Sequence, residues 1–191
     1  MPKNIFGNIL IIGTGLIGSS IARKLFIDNI CTNIYGIDKN YQVISKCRNL
    51  KIKNKKIFIE CKKNINQFNI NFDLIIICSP LSSYKDIFIS LNKYVKNDTY
   101  LTDAGSTKVS VIKDFKKYSQ NKKLKFVPGH PIAGIEKSGP EYGFSELFNN
   151  RYCILTPFEK DEKSFKKIKL FWSQLGMRIE KMNAKYHDKI L

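Results

Sequence analysis

The feature that most restricts the fold is a short apolar run that breaks into glycines and resumes as a helix. Ile9-Leu10-Ile11-Ile12 leads into Gly13-Thr14-Gly15-Leu16-Ile17-Gly18, and from Leu16 apolar residues recur at helical spacing toward Asp28. Such a strand–turn–helix unit asks something different of each glycine. Gly13 allows the tight turn, Gly15 lets the backbone approach a pyrophosphate, and Gly18 lets helix and strand pack closely. The helix start then offers unpaired N–H groups and the positive end of its dipole to phosphates. By itself a GxGxxG run is a weak signal. Asp38 strengthens it: it ends the next predicted strand, twenty positions beyond Gly18, where an acid hydrogen-bonds ribose hydroxyls. An acid there also repels a 2′-phosphate, so NAD is expected over NADP, with the adjacent Lys39 softening the preference. The expected cofactor-binding residues are Gly13, Thr14, Gly15, Leu16, Ile17, Gly18 and Asp38.

The rest of the chain alternates short apolar runs with longer amphipathic segments, the pattern of a parallel sheet flanked by helices. Strands are predicted at Asn8–Ile12, Asn33–Asp38, Lys56–Glu60, Phe72–Cys78, Thr99–Asp103, Lys125–Val127, Cys153–Thr156 and Arg178–Glu180. Helices are predicted at Leu16–Asp28, Tyr41–Leu50, Ser82–Tyr94, Lys108–Tyr118 and Glu162–Leu175, the last capped by Gly176. Asp73-Leu-Ile-Ile-Ile-Cys78 is continuously apolar after its first residue, as befits a central strand buried on both faces. Lys51–Lys56 reads as a surface loop. The expected fold class is α/β: a Rossmann-type, doubly wound, mostly parallel sheet over residues 1–181. Residues 182–191 read as the first turns of a C-terminal helical domain that is otherwise absent, so the chain is expected to be a truncated or split version of something longer.

Composition excludes several alternatives. The 191 residues carry a formal net charge of +17, which invites nucleic acid. The lysines, however, are spread along the chain, and only Arg23, Arg48, Arg151 and Arg178 are arginine, the usual reader of base edges. No nucleic-acid partner is expected. Five widely spaced cysteines, with no CxxC pair, read as reduced structural thiols. Two histidines make a zinc site unexpected, so no metal is assigned. No apolar stretch approaches the ~20 residues that span a bilayer, and Ile9–Ala22 owes its hydrophobicity to the nucleotide-binding unit. The expected setting is cytoplasmic, without a membrane partner.

Three later segments fall at predicted strand ends on one side of the sheet. Cys78-Ser79-Pro80 should run beside the nicotinamide end, which places Ser79 and Pro80 in the cofactor set, although an ordinary turn before a helix explains them equally well. Ser79 is given no chemical role. Asp103-Ala-Gly-Ser106-Thr-Lys108 offers Ser106 as a helix N-cap or as a group that orients an imidazole or a substrate hydroxyl. Gly129-His130-Pro131 puts His130 in a rigid turn, as a structural histidine or as a proton acceptor with an ordinary pKa near 6.5.

At these residues the chain resembles the nucleotide-binding half of prephenate or arogenate dehydrogenases. The resemblance is carried by GTGLIG at Gly13–Gly18, DAGSTK at Asp103–Lys108, GHPIAGIEKSGPEYGFSELF at Gly129–Phe148, NRYCILTP at Asn150–Pro157 and the His187–Asp188 pair. It implies oxidative decarboxylation of a cyclohexadienol with NAD as hydride acceptor, His130 taking the hydroxyl proton and Ser106 positioning His130 and the substrate. It implies a small, doubly charged substrate, for which Lys108, Lys137 and Arg151 are candidate cations and, equally, ordinary surface or structural residues. His187 reads as a packing or capping residue. Relatives continue into a helical domain that forms a dimer and supplies a substrate-binding arginine, so a homodimer is expected only if that domain is supplied. Prephenate gives 4-hydroxyphenylpyruvate and arogenate gives tyrosine. A non-catalytic NAD-binding remnant is the alternative beside both, while the Gly129–Phe148 motif argues against another kind of Rossmann oxidoreductase.

Overall fold

In the computed structural model, which describes residues 4–158 and 161–191, the chain opens with β1 (Phe6–Ile12), α1 (Leu16–Ile27), β2 (Cys31–Ile37) and α2 (Tyr41–Arg48). A small hairpin of β3 (Lys51–Ile52) and β4 (Lys55–Lys56) leads to β5 (Glu60–Lys62) and β6 (Leu74–Ile77). Then come α3 (Tyr84–Tyr94), β7 (Thr99–Asp103), α4 (Val109–Tyr118) and β8 (Leu124–Phe126). β9 (Gly129–Pro131), β10 (Tyr152–Leu155), α5 (Glu162–Gln174), β11 (Arg178–Lys181) and α6 (Ala184–Ile190) complete the chain. Among the described residues no helix is long and apolar enough to cross a membrane.

The main sheet has six strands in the order β5-β2-β1-β6-β7-β8, and every pairing is parallel. The chain steps outward from β1 through β2 to β5, returns to β6, and steps outward the other way. This reversal opens a crevice between the carboxyl ends of β1 and β6, the place where doubly wound sheets bind ligands. The central strand β6 and the second half of β1 are buried on both faces, as their unbroken apolar runs require. Ile9, Ile11, Leu74 and Ile76 pack with Ile21 and Leu25 of α1 and with Phe171 and Trp172 of α5. Leu10, Ile12, Ile75 and Ile77 pack on the opposite side with Phe88 and Leu91 of α3 and Val111 of α4.

Three expectations are corrected. The strand predicted at Lys56–Glu60 forms later, as β5, paired with β2. Two of its three apolar residues, Ile57 and Phe58, are buried in the core instead of lying in the ladder, while Ile59 is exposed. The loop at Lys51–Lys56 is a hairpin whose central Lys53 (φ 48°) and Asn54 (φ 62°) both lie in the left-handed region, as the tight primed hairpin turn demands. Finally, the strands near Cys153 and Arg178 do not extend the main sheet. They form a separate three-stranded sheet, β11-β10-β9, in which β9 runs antiparallel to β10.

His130 therefore lies in a strand and not in a turn. Val127 makes the last β8 bond to Leu101, and the Pro128 carbonyl accepts instead from the Thr156 N–H at 3.0 Å just past β10. Beyond it, the Gly129 N–H is captured by the Asp103 carboxylate at 2.9 Å. That bond holds β9 against the carboxyl end of β7.

Candidate active site

A cleft of about 530 Å³ occupies the crevice between β1 and β6. Gly13 and Gly15 form its floor, Asp38, Lys39, Asn40, Lys63 and Asn64 one end, and Cys78, Ser79, Pro80 and Ser83 the other. Gly13 has φ +89°, and a side chain there would strike the Cys78–Ser79 backbone at 2.6–2.8 Å. A Cβ at Gly18 would lie 2.1 Å from the Gly13 carbonyl. Gly15 differs: a Cβ there meets nothing within 4 Å. Its missing side chain leaves space above the start of α1, where N–H groups lack helical partners. This open cradle fits a phosphate-bearing cofactor.

The acid end of the cleft is fixed by the backbone. Asp38 accepts from the Thr14 N–H at 2.9 Å through one oxygen and from the Asn40 N–H at 3.0 Å through the other. Thr14 is fully buried, so it braces Asp38 and does not line the cleft. Leu16 and Ile17 pack their side chains partly against the core and do not line the cleft. Ser79 bonds the Ser83 hydroxyl at 2.8 Å and sits with Pro80 at the far end of the cleft. Lys63 was missed from sequence because its position depends on the register of β5.

One strand over from the far end lies a buried polar centre. Asp103, register partner of Ile77, accepts from the Tyr84 hydroxyl at 3.0 Å, from the Gly105 N–H at 3.0 Å and from the Lys108 ammonium at 2.7 Å. Lys108 also donates to the Gly129 carbonyl at 2.6 Å. Both partners of the Lys108–Asp103 pair are wholly buried. Lys108 therefore has no surface to offer a substrate carboxylate, and the expectation that it lines the pocket is corrected.

His130 stands beside this pair on β9. Its Nδ1 lies 2.9 Å from Nε2 of His187, and His187 Nδ1 lies 2.6 Å from Oδ1 of Asp188. Burial first, then the Lys108 ammonium and His187, pushes the His130 imidazole down to about 4. It is thus a neutral ring at neutral pH.

Ser106 is exposed, and among the described residues its hydroxyl bonds neither His130 nor the start of α4. The N-cap expected of it is supplied by Asp188, which accepts from Lys108 N–H at 2.7 Å and Val109 N–H at 2.8 Å. His187 is wholly buried, as a packing residue would be, and it also bonds His130 itself. Lys137, exposed in the loop after β9, places its ammonium 5.1 Å from the centre of the Tyr142 ring. Arg151 is exposed just ahead of β10. Neither reaches the cleft between β1 and β6.

Residues 21–181 match the family described as prephenate dehydrogenase, nucleotide-binding domain. The chain belongs to the prephenate dehydrogenase family. It is 34% identical over 190 residues to a cyclohexadienyl dehydrogenase of Zymomonas mobilis, covering 98% of this chain and 62% of that protein. It is 32% identical to the prephenate dehydrogenase of Lactococcus lactis, covering 95% and 48% respectively. The prephenate dehydrogenase of Aquifex aeolicus, solved with hydroxyphenyl propionate and NAD+, superposes with a TM-score of 0.87 at 34% identity, over 96% of this chain and 62% of that one. The chain thus spans between about half and three-fifths of the length of these family relatives.

Proposed function

We propose that this chain is the cofactor-binding part of an NAD-dependent dehydrogenase that converts prephenate to 4-hydroxyphenylpyruvate with loss of CO2, residues 182–191 opening a further helical domain. The observation that carries this reading is a neutral, half-buried imidazole, His130, one strand away from a nucleotide cleft at the carboxyl edge of the sheet. Relatives of this family include one solved with NAD+, and the Gly15 cradle, the α1 N-terminus and Asp38 fit that cofactor. When bound, NAD supplies the hydride acceptor.

The chain's own residues do the rest. His130 accepts the ring-hydroxyl proton as the carbinol carbon becomes electron-poor, and exposed Ser106, at the carboxyl end of β7, orients the same hydroxyl. The carboxylate leaves as CO2, its bonding electrons make the ring aromatic as a phenolate, and the proton held on His130 returns to that oxygen to give the phenol, so positioning and one proton acceptor suffice. Lys137 and Arg151 remain the surface cations available to the substrate's carboxylates.

The test follows NADH absorbance with prephenate and, separately, with arogenate. The chain is assayed alone and mixed with the separately expressed helical region of the Aquifex aeolicus relative. NAD binding with turnover only in the mixture is expected. Failure to bind NAD would remove the cofactor assignment; binding without NADH from either substrate would remove the reaction.

Asp38 carries a second expected result. Its carboxylate, held at the ribose end, should make NAD bind at least ~10-fold tighter than NADP, about 1.4 kcal/mol. Asp38→Asn should narrow that ratio, leaving Lys39 and Lys63 to attract the extra phosphate. Calorimetric affinities measure both; equal affinity in the unaltered chain would show that Lys39 and Lys63 outweigh the acid.

A further inference from the structure

We infer that His187 and Asp188 are positioning residues that lock the tautomer of His130, so that the lone pair of its Nε2 faces the substrate. The inference rests on the reading of His130 as proton acceptor. It assigns a task to two residues at the end of the chain that the reaction above does not use.

The chain of contacts has a direction. The Asp188 carboxylate accepts the N–H groups of Lys108 and Val109 at 2.7 and 2.8 Å, at the positive end of the α4 dipole. Against the upward pull of burial, these two N–H groups and His187 hold the Asp188 carboxyl below its ordinary range. Around neutral pH it is therefore an acceptor only, and the proton in the 2.6 Å contact sits on His187 Nδ1. A singly protonated His187 then has a lone pair on Nε2. The 2.9 Å contact to His130 can be a hydrogen bond only if His130 Nδ1 carries a proton. A neutral His130 with its proton on Nδ1 has its lone pair on Nε2, an atom with no hydrogen-bond partner among the described residues.

Surroundings favour a single proton on the His130 ring. His187 has no exposed surface. The groups facing His130 are the buried Lys108 ammonium, Asp103, His187 and Asp188, and a second cation close to Lys108 is opposed by burial and by like charge. The geometry is also held from both ends. β9 is tied to β7 through Gly129 and Asp103, and α6 is tied to α4 through Asp188. When His130 takes the hydroxyl proton at Nε2, its Nδ1–H points along the line to His187 and Asp188, which steadies the imidazolium. No proton has to travel farther than His130 Nε2. Among the described residues Ser106, expected to orient His130, makes no hydrogen bond to it; His187 does.

The two histidines are the only ones in the chain, so a chain labelled with 15N-histidine gives two ring systems in long-range 1H–15N spectra. At neutral pH the expected spectrum shows His130 with a protonated Nδ1 and an unprotonated Nε2. In His187→Leu, His130 should lose that preference and average between tautomers. In His187→Gln, where the amide can donate to Asp188 and accept from His130, the preference should return; circular dichroism checks that both variants fold. Protonated Nε2 in the unaltered chain, or an unchanged His130 spectrum in His187→Leu, would overturn the inference. With the helical region supplied, His187→Leu should lower kcat at least ~10²-fold, in line with the cost of a wrong histidine tautomer elsewhere, while NAD affinity stays unchanged. The spectrum needs neither substrate nor turnover. The expected tautomer in a protein that oxidises neither substrate would therefore sink the reaction and keep the positioning, whereas turnover with the opposite tautomer would sink the positioning alone.

Discussion

Replacing His130 with Asn should remove about 10²- to 10⁴-fold of the turnover with prephenate, the usual contribution of a positioned acid–base group, and leave NAD affinity unchanged. Asparagine keeps a polar side chain on β9 but has no basic nitrogen. The nucleotide cleft, lined by Gly13, Asp38 and Ser79, does not include position 130. The pH profile sharpens the expectation. Burial, the Lys108 ammonium and His187 bring the imidazole down to about 4, so the basic form survives well below the ordinary value near 6.5. The acid limb of kcat/KM should fall toward pH 4. Stability carries the same sign: below 6.5 the unfolded chain binds a proton at His130 that the folded chain refuses. The group's contribution is therefore whole above 6.5 and drains away as pH falls toward 4. Steady-state rates with the helical region supplied measure the first effect. Undiminished turnover in the Asn variant would remove His130 as acceptor, and an acid limb near 6.5 would show that its basicity is not lowered.

What was legible in the sequence was what is local. The β1 run, the Gly13–Gly18 loop, Asp38 and the four apolar residues of β6 each announce themselves within a few positions, because periodicity and glycine placement are short-range effects. The family motif at Gly129–Phe148 points to His130 without reference to its surroundings. What remained hidden was made by contacts between distant segments. The α4 cap illustrates it: Ser106 obeys the local capping rule, yet a carboxylate from Asp188, 80 residues from Lys108, reaches the same N–H groups. His187 reads as a packing residue until α6 brings it to His130, 57 residues away. Lys108 reads as a surface or pocket cation because lysine is almost never fully buried unless paired; the pairing exists only once β7, α4 and β9 meet.

That pairing carries the largest expected loss of stability. Asp103→Asn should destabilise the fold by about 3–5 kcal/mol, the cost of leaving a buried charge without its partner, out of a total of roughly 5–15 kcal/mol for a domain. In a chain of this size the thermal midpoint would fall by roughly 6–20 °C. Lys108→Met should cost less. The Asp103 carboxylate would keep three donors, the Tyr84 hydroxyl and the Gly105 and Gly129 N–H groups. Tyr84 is a dependable donor, since burial, reinforced by the Asp103 charge, pushes its phenol far above the ordinary range. The reverse change strands the Lys108 ammonium with the Gly129 carbonyl and an uncharged amide. Urea midpoints at constant slope rank the two variants; a loss below ~1 kcal/mol in Asp103→Asn, or a larger loss in Lys108→Met, would contradict the ion pair as the weld between β7 and β9. The same substitutions reach the chemistry. Removing the Lys108 charge withdraws one of the influences that keep His130 neutral, so in Lys108→Met the acid limb of kcat/KM should move upward from pH 4 toward 6.5. A stabilising contact and a tuning charge would then be one buried residue, separable because the first is read by denaturant and the second by proton concentration.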